Sequence, residues 1–503
     1  MTHHEPRSTA KAKAQKYRIA IIGAGPGAIC MAIRLKKAGI EDFVMLERAD
    51  GAGGTWYNNR YPGLACDVPS ALYSFSFEPK PDWSRPYGTY KELRTYMQHC
   101  VRKYELDPHI RLNTEVTAAH WDDAASQWHL KTGVGDEVVA DICVSALGMF
   151  NEIQWPEIPG LKSFSGQTLH TANWPEGIDL SGRTIAVIGT AASAVQMIPE
   201  LAKVAKKLTV FQRTANWIFP KEDTPYTEAE IEQMRSDRAL LDKARAEMFE
   251  FFEQLLLFDK PELMEPLRQA SFDILAQVKD PVTREKLTPH VPIGAQRPLF
   301  SNEYYPAFNR PNVELVTEPI ETITAHGVKT KDGTEHKVDT LIFATGYAAM
   351  KYLSVIDVTG RGGLRLADAW DAGAQAYLGI TTSGFPNLFM CYGPNTNNGS
   401  ILFMLECQTD YIMRRINDID ANGLAWIDVR PDVMERYNEK VQAKIESVEA
   451  WRTVGSKYYR SSSGRIVTQW PGTMREFKAE TSVDDLDAFE TSKRETATVA
   501  AAE

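Results

Sequence analysis

The chain has 503 residues, 43% of them hydrophobic, and a formal net charge of -10 at pH 7. This length allows roughly three domains, and the acidic balance argues against nucleic acid as a partner, because neutralising phosphates requires a basic face. The six cysteines form no C-x-x-C pair, which favours reduced thiols over a disulfide or zinc framework. The N-terminus has no apolar signal core and no apolar run is long enough for a membrane span. We therefore predict a cytoplasmic protein.

Segment 17–40 predicts a strand, a glycine turn and a helix. The turn reads Gly23-x-Gly25-x-x-Ala28, and the apolar strand that follows ends at Glu47. The glycines allow a tight turn and a close approach of a pyrophosphate to the helix N-terminus, and an acidic residue after the second strand suits a ribose 2′-hydroxyl. The sequence therefore predicts a dinucleotide-binding unit here.

A second strand, turn and helix begin at residue 183. Gly189 opens the turn, Ala191 stands where a second glycine is expected, and Arg213 follows the next strand instead of an acid. An arginine there favours a ribose 2′-phosphate, and hence NADP, unless it is only a solvated charge at the strand end. The predicted NADP-binding residues in this unit are Gly189, Thr190, Ala191, Ser193, Arg213 and Thr214.

The pattern of the remaining segments predicts the domain organisation. Segment 221–290 has helical periodicity and little glycine, and Asp332-Gly333 predicts a hairpin turn. The predicted fold is α/β, with two Rossmann-like dinucleotide-binding domains, one for FAD and one for NADP, and a helical insertion in the NADP domain. The predicted boundaries are a disordered arm at 1–15, the FAD domain at 16–152 and 339–490, an interdomain linker at 153–182, the NADP domain at 183–220 and 291–338, the insertion at 221–290, and a disordered tail at 491–503.

Two dinucleotide units in one chain suggest a flavoprotein. Disulfide reductases share this architecture, but they need a redox cysteine pair that this sequence lacks. Between the two turns the chain reads Phe164-x-Gly166-x-x-x-His170-x-x-x-Trp174-Pro175. This segment matches the linker motif of the type I Baeyer-Villiger monooxygenases, a group of class B flavin monooxygenases, and nearly the whole chain resembles that family. The resemblance implies that the motif couples rotation of the NADP domain to the flavin site, with His170 at its centre.

Other segments resemble the same family. Asp67 takes the position of the family's active-site aspartate and Arg297 that of its catalytic arginine, while Gln296 stands where a lysine usually contacts NADPH. Segment 384–408 resembles the part that brings a helix N-terminus to the flavin, where it would stabilise negative charge. The FAD site predicted from the turn and from the resemblance comprises Gly23, Gly25, Ala28, Glu47, Gly54, Thr55, Trp56, Tyr61, Asp67, Thr345 and Asn395.

The resemblance implies an enzyme that uses NADPH and O2 to convert a ketone into an ester or lactone through a C4a-peroxyflavin and a Criegee intermediate. A permanent guanidinium charge would stabilise the peroxide anion, the role expected for Arg297, and Asp67 would fix its position. Two alternatives stay open: a nitrogen- or sulfur-oxygenating flavin monooxygenase, and a non-catalytic FAD-binding redox sensor. We expect a monomer or homodimer without a metal ion or membrane partner.

Overall fold

The computed structural model describes residues 14–452, 459–461 and 463–494. Its strands are β1 (Gln15–Ile22), β2 (Phe43–Leu46), β3 (Ile110–Arg111), β4 (Val116–Asp122), β5 (Gln127–Thr132), β6 (Glu137–Ser145), β7 (Gln167–His170), β8 (Thr184–Ile188), β9 (Lys207–Phe211), β10 (Ile218–Phe219), β11 (Leu299–Phe300), β12 (Val313–Val316), β13 (Ile320–Thr324), β14 (Gly327–Thr330), β15 (Glu335–Lys337), β16 (Thr340–Phe343), β17 (Asp357–Thr359), β18 (Leu388–Met390), β19 (Leu424–Val429) and β20 (Phe489–Lys493).

Its helices are α1 (Pro26–Lys37), α2 (Thr55–Asn58), α3 (Tyr90–Lys103), α4 (Ala192–Val204), α5 (Glu228–Ser236), α6 (Arg238–Leu255), α7 (Pro261–Leu275), α8 (Pro281–Lys286), α9 (Tyr304–Ala307), α10 (Leu366–Ala369), α11 (Ile401–Ala421), α12 (Pro431–Ser447), α13 (Glu449–Arg452) and α14 (Met474–Glu480).

The first sheet has eight strands in the order β17-β4-β5-β6-β1-β2-β3, and β18 also pairs with β6. β1 pairs in parallel with β2 on one side and with β6 on the other. Its last four residues, Ile19 to Ile22, are buried, as expected for a parallel strand covered on both faces. The strand order reverses beside the carboxyl end of β1, and open α/β sheets bind their ligands at such a switch point.

The second sheet has the order β12-β9-β8-β16-β7 with parallel pairing throughout. Two of its strands correct the predicted boundaries. β16 lies within the segment assigned to the FAD domain, yet its fully buried residues pair with both β8 and β7. β7 lies within the predicted linker and forms the edge of this sheet. The switch point of the second sheet lies between β8 and β16.

The predicted helical insertion corresponds to α5, α6, α7 and α8. The insertion leaves and rejoins the second unit through the short parallel pair β10 and β11, and the predicted hairpin is the pair β14 and β15. Both predicted disordered ends are too long, because β1 starts at Gln15 and β20 pairs with β19 as far as Lys493. The rest of those two predictions, 1–13 and 495–503, lies outside the described residues. In the described part of the chain, no helix is long and apolar enough to cross a membrane.

Candidate active site

The first glycine turn lies at the switch point of the first sheet. Gly23 has a φ of 104°, and a Cβ there would lie 3.1 Å from the carbonyl oxygen of Ala146 at the end of β6. Gly54 has a φ of 56°, and its Cβ would lie 2.7 Å from Cα of Gly25. No side chain caps α1, so the backbone N–H groups of its first turn are offered to a ligand. This narrow glycine cradle fits the pyrophosphate of a dinucleotide.

Glu47 holds the first turn together. It is 6% exposed, its Oε2 accepts a hydrogen bond from Ala24 N at 2.7 Å, and its Oε1 accepts one from Ala49 N at 2.8 Å. The carboxylate therefore fixes the turn backbone in addition to its predicted role toward the ribose. Ala28 is fully buried on the core side of α1.

Gly27 is a structural residue that the turn pattern did not single out. A Cβ at Gly27 would lie 3.0 Å from Cβ of Cys391 and 3.1 Å from Cδ2 of Leu405. The absence of a side chain therefore lets α1 approach α11 closely. The available sequence signal was a further glycine between Gly25 and Ala28, inside the first turn of the helix.

The predicted flavin-side residues lie on the loop that follows the first turn. Thr55 and Trp56 begin α2, and Trp56 Nε1 donates to the hydroxyl of Tyr73 at 3.2 Å. Tyr61 lies at the boundary with the second unit, where its hydroxyl donates to Gln196 Oε1 on α4 at 3.1 Å. Burial raises the pKa of Tyr61, so its hydroxyl stays protonated.

Asn395 has a structural contact of its own. Its side-chain amide donates to the carbonyl oxygens of Ile466 at 2.8 Å and Gln469 at 2.9 Å. This contact holds the loop before α11 against the C-terminal part of the first unit. Because Nδ2 of Asn395 is used by these two hydrogen bonds, a contact with a flavin would have to come from its Oδ1 or its backbone.

The second turn repeats the geometry of the first. Gly189 has a φ of 110°, and a Cβ there would lie 2.6 Å from the carbonyl oxygen of Ala344 after β16. Ala191 is the N-cap of α4, which also has no capping side chain. Thr190 is buried and its carbonyl accepts from Asn216 Nδ2 at 2.8 Å. Ser193 follows in the first turn of α4, so the predicted residues of this turn lie together.

Arg213 and Thr214 follow β9 and are exposed beside this turn. Arg213 forms no hydrogen bond or ion pair with any residue that the structure describes. The Oε1 atom of Gln296 is buried and, within the described ranges, has no hydrogen-bond partner. The exposed guanidinium of Arg213 suits a phosphate group, and the buried acceptor of Gln296 suits a hydroxyl group, so both fit a ligand that carries phosphate and hydroxyl groups.

Arg297 and Asp67 form an ion pair that joins the two units. Both Nε and Nη2 of Arg297 donate to Oδ2 of Asp67, at 3.0 and 2.5 Å. The two contacts to one oxygen fix the direction of the guanidinium. Asp67 comes from the loop of the first unit, and Arg297 from the chain between α8 and β11. The structure thus brings together two residues that lie 230 positions apart.

The ion pair itself is partly exposed, with 38% of the Arg297 side chain and 25% of the Asp67 side chain accessible. Its neighbour Cys66 is buried and its neighbour Tyr392 is partly buried, and burial raises the pKa of each, while the charge of Arg297 lowers it and that of Asp67 raises it. The two charges of the pair therefore act on both of these groups at the same place. Tyr392, which the sequence analysis did not single out, donates its hydroxyl to Asn397 at 2.7 Å.

His170 is the centre of a hydrogen-bond chain at the carboxyl ends of β7 and β16. Its Nδ1 accepts from Ala172 N at 3.0 Å, so the ring proton is on Nε2, which lies 3.1 Å from Thr345 Oγ1. The hydroxyl of Thr345 in turn donates to the carbonyl oxygen of Gln154 at 2.6 Å. Burial lowers the pKa of His170 and keeps the imidazole neutral. Thr345, predicted as a flavin contact, is here a partner of His170.

The other residues of the motif attach it to the second sheet. A Cβ at Gly166 would lie 2.3 Å from the carbonyl oxygen of Asp339, just before β16. Phe164 packs against the core of the second sheet. Trp174 is 7% exposed and belongs to the larger hydrophobic core that also includes residues of β1 and α1. The segment is therefore an edge strand with anchored ends.

Comparisons with known proteins identify the family. Residues 20–250 match the profile of the pyridine nucleotide-disulphide oxidoreductases. A Baeyer-Villiger monooxygenase of Pseudomonas aeruginosa is 39% identical over 485 residues, with 95% of this chain and 92% of that protein covered. Another, of Streptomyces coelicolor, is 38% identical over 480 residues, with 94% and 92% covered. The chain belongs to the Baeyer-Villiger monooxygenase family.

A solved structure of a cyclohexanone monooxygenase has the same fold. The chain superimposes on cyclohexanone monooxygenase from Rhodococcus sp. Phi1 bound to NADP+ with a TM-score of 0.87 and 30% identity, covering 96% of this chain and 100% of that one. The predicted fold class, with FAD and NADP domains of Rossmann type, is thereby confirmed. As a member of this family, the chain is a flavin-dependent oxidoreductase that uses FAD and NADP. The description of that profile mentions disulfide chemistry, which requires a pair of redox cysteines. This chain has no such pair, since all six cysteines are buried and free.

Proposed function

We propose that this protein is an NADPH- and O2-dependent FAD monooxygenase that converts a ketone into an ester or lactone. The observation that carries the proposal is the ion pair between Arg297 and Asp67, which lies where the two dinucleotide units meet. FAD, when bound and reduced by NADPH, supplies the activation of oxygen. The chain supplies the binding sites and the fixed charge.

Arg297 provides the charge that this reaction needs. A guanidinium carries a permanent positive charge, so it can stabilise negative charge that develops on oxygen during attack on a carbonyl. Asp67 keeps the guanidinium in one orientation through the two hydrogen bonds to its Oδ2. A preorganised donor of this kind does not have to reorient during the reaction.

We assign the cofactors to the two turns. The cradle formed by Gly23, Gly25 and Gly54 would hold the pyrophosphate of FAD, with Glu47 beside its ribose. The turn at Gly189 and the N-terminus of α4 would hold the pyrophosphate of NADPH, and Arg213 its 2′-phosphate. The support for the second assignment is that Arg213 has no protein partner among the described residues.

The contacts of His170 support the proposed domain-coupling role of the motif. His170 connects the edge strand β7 to Thr345, which follows β16, and through it to Gln154. A rotation of the second unit must either move these hydrogen-bonded residues together or break the hydrogen bonds between them. His170 is therefore placed to transmit coenzyme binding to the rest of the site.

The cellular assignment is the finer part of the proposal. We propose a cytoplasmic enzyme that acts as a monomer or homodimer on a small ketone, with O2 as its second substrate. The acidic composition and the six free, buried cysteines support a reducing compartment. Size-exclusion chromatography of the purified holoenzyme measures the oligomeric state.

The test of the proposal is ester formation by wild type and by Arg297→Ala. Wild type is first screened by mass spectrometry with linear, cyclic, aromatic and steroidal ketones. Arg297→Ala should still bind FAD and consume NADPH, but release hydrogen peroxide instead of ester, with the ester rate reduced by roughly a hundredfold to a thousandfold. The control is Arg268→Ala, because Arg268 is a half-exposed arginine on α7 whose ion-pair partner is Glu265 and not Asp67.

Three results separate the alternatives. Ester formation by Arg297→Ala at the wild-type rate contradicts the assigned role of the guanidinium. Oxidation of sulfides or amines without any ketone oxidation by wild type indicates a nitrogen- or sulfur-oxygenating enzyme. Only a protein that binds FAD but consumes no NADPH with any ketone, sulfide or amine would fit the non-catalytic redox sensor.

A further inference from the structure

The helical insertion belongs to the second unit along the chain, yet one of its arginines binds the first unit. Arg245 lies on α6 with its side chain 19% exposed. Its Nη1 donates to three carbonyl oxygens of one turn: Ala71 at 3.4 Å, Leu72 at 3.3 Å and Ser74 at 2.8 Å. A guanidinium that serves three backbone carbonyls defines the conformation of that turn. We call residues 71–76 the docking turn.

A carboxylate strengthens the same contact. Nη2 of Arg245 lies 3.7 Å from Oε1 of Glu406 on α11. Glu406 Oε1 accepts from Ser76 N at 2.7 Å. The docking turn is thus held by Arg245 at its beginning and by Glu406 at its end, and the two charges attract each other.

The docking turn connects directly to α11, the helix whose N-terminus is expected at the flavin. The carbonyl oxygen of Leu72, which accepts from Arg245, also accepts from Ser400 Oγ at 3.1 Å. Ser400 is fully buried and is the N-cap of α11. One carbonyl oxygen therefore joins the insertion to the N-terminus of α11.

The docking turn also supports the candidate active site. Tyr73 is its third residue, and the Tyr73 hydroxyl accepts the hydrogen bond from Trp56 Nε1. Asp67, the partner of Arg297, precedes the turn by only four residues. A shift of the turn therefore changes the positions of Trp56 and Asp67 together.

Two more contacts hold the insertion on the same side of the first unit. The ring centroids of Phe249 on α6 and Phe403 on α11 lie 5.1 Å apart. Oε1 of Glu253 accepts from Met474 N at the start of α14 at 2.8 Å. Residues along α6 thus contact the first unit at separate places, and Arg245 is the one that reaches the docking turn by hydrogen bonds from a mostly buried guanidinium.

We propose that Arg245 is a positioning residue: through the docking turn it sets the place of Trp56 and Asp67 relative to Arg297. The seating of the insertion then decides how much of the consumed NADPH ends in product and how much in hydrogen peroxide. This inference rests on the proposed function for its product, but not for its structural effect. A lysine cannot replace the arginine fully, because an ammonium group cannot present the same planar set of donors.

The experiment compares Arg245→Met, which keeps the aliphatic stem, with Arg245→Lys, which keeps the charge. The matched control is Arg238→Met on the same helix, since Arg238 is 56% exposed and reaches the turn only through a 3.5 Å contact to the carbonyl of Ser76. Ester and hydrogen peroxide are measured per NADPH consumed and per bound FAD. Amide hydrogen exchange of residues 71–76 is measured on the same holoenzymes.

Arg245→Met should keep its FAD and its rate of flavin reduction by NADPH, while the ratio of peroxide to ester rises by roughly tenfold, less than the hundredfold that a full ångström of misplacement can cost. Exchange in the docking turn should accelerate in parallel. Arg245→Lys should give an intermediate ratio, and Arg238→Met should match wild type in both measurements. A pH-independent change is expected, because an arginine does not titrate in the working range.

A merely structural role predicts a different pattern: a lower melting temperature and less bound FAD, with an unchanged product ratio per bound FAD. That pattern overturns the proposal. If Arg245→Met does not fold, Ser400→Ala removes the second donor to the Leu72 carbonyl, and wild-type ratios in both Ser400→Ala and Arg245→Lys overturn the proposal equally. If wild type forms no ester from any ketone, the proposed function fails, and the hydrogen exchange of residues 71–76 still decides whether Arg245 holds the docking turn; unchanged exchange in Arg245→Met overturns that part of the inference.

Discussion

The two dinucleotide turns of this protein have the same backbone and different surroundings. Gly23 and Gly189 have φ angles of 104° and 110°, and each lies against the carbonyl oxygen of an alanine that follows a neighbouring parallel strand. The first turn is enclosed, because Glu47 bonds its backbone and Gly54 covers it. The second turn ends beside the exposed Arg213.

This difference indicates how each turn treats its ligand. An enclosed turn with a buried carboxylate suits a ligand that stays bound, as a flavin does. An exposed turn with a free cation suits a coenzyme that binds and leaves in every cycle, because little structure has to open for its release. The same glycine geometry therefore serves a resident and an exchanging dinucleotide, and the residues around the turn decide which.

The largest effect is expected from closing the first turn. Gly54→Val places a branched side chain at a positive φ and within 2.7 Å of Cα of Gly25, which should weaken FAD binding by about 3 kcal/mol or more, over a hundredfold. The measurement is the FAD content and FAD affinity of the purified protein. The control is Gly39→Val, because Gly39 has a similar φ of 72° but a Cβ built there would have no other atom within 4 Å. Equal FAD loss in both variants would show that backbone strain, and not the cradle, is responsible.

The next effect tests the open turn. Arg213→Ala should raise the KM for NADPH by roughly tenfold to a hundredfold, since a lost charge-assisted hydrogen bond costs about 1.5 to 3 kcal/mol. The KM for NADH and the FAD content should change little. Lys207→Ala is the matched control, because Lys207 is an exposed cation at the other end of β9 that pairs with Glu314. An equal rise for both coenzymes contradicts the assignment of Arg213 to the 2′-phosphate.

His170 provides a test of the connection between the two units. His170→Ala should leave FAD bound and impair NADPH-dependent turnover. Because the pKa of the folded-state imidazole is lowered, His170 stabilises the fold fully above its ordinary pKa of about 6.5, and this contribution is lost as the pH falls through the lower folded value, by at most about 1.4 kcal/mol per pH unit.

The melting temperatures of wild type and His170→Ala should therefore converge as the pH is lowered from 7.5 toward 5. His120→Ala, which removes an exposed histidine, controls for general acid effects. A constant difference between wild type and His170→Ala across this range would contradict a neutral, buried imidazole. Unchanged turnover in His170→Ala would leave the residue with a structural role alone.

The smallest effect is expected at the position where the two turns differ, which is Gly25 in the first turn and Ala191 in the second. Ala191→Gly improves the N-cap of α4 and should lower the KM for NADPH and NADH alike by about two- to threefold. Gly25→Ala should weaken FAD binding slightly, because a methyl group hinders the close approach of the pyrophosphate, although its Cβ would make only an ordinary contact of 3.4 Å with Cα of Gly54. If Ala191→Gly raises both KM values, the alanine contributes a contact that the second turn needs.

The sequence predicted the two units well because their signals are local. A strand, a glycine turn and a helix occupy about 25 consecutive residues, and the turn chemistry is set by φ angles that glycine allows. The pairing of Asp67 with Arg297 was expected only through the family resemblance, since nothing local connects residues 230 positions apart. The geometry of that pair agrees with the expectation, whereas its chemical role stays a prediction.

The errors arose where structure depends on distant partners. The four residues of β7 contain no strong strand signal, and they become a strand because β16, about 170 positions later, pairs with them. For the same reason the boundary at residue 339 was placed before a strand that belongs to the second sheet. The role of Arg245 could not be predicted for another reason. Its hydrogen-bond partners are backbone carbonyls, which every residue has and which therefore give no sequence signal.

The anchored edge strand of the motif has a consequence for how this segment can change. Side chains alternate across a strand, so a slip of one residue would exchange the faces of Leu169 and His170. Gly166 prevents such a slip, because its Cα lies against the carbonyl of Asp339 where no side chain fits. The number of residues between Gly166 and His170 is thus fixed by geometry, and a single insertion or deletion there should be less tolerated than the replacement of either residue alone.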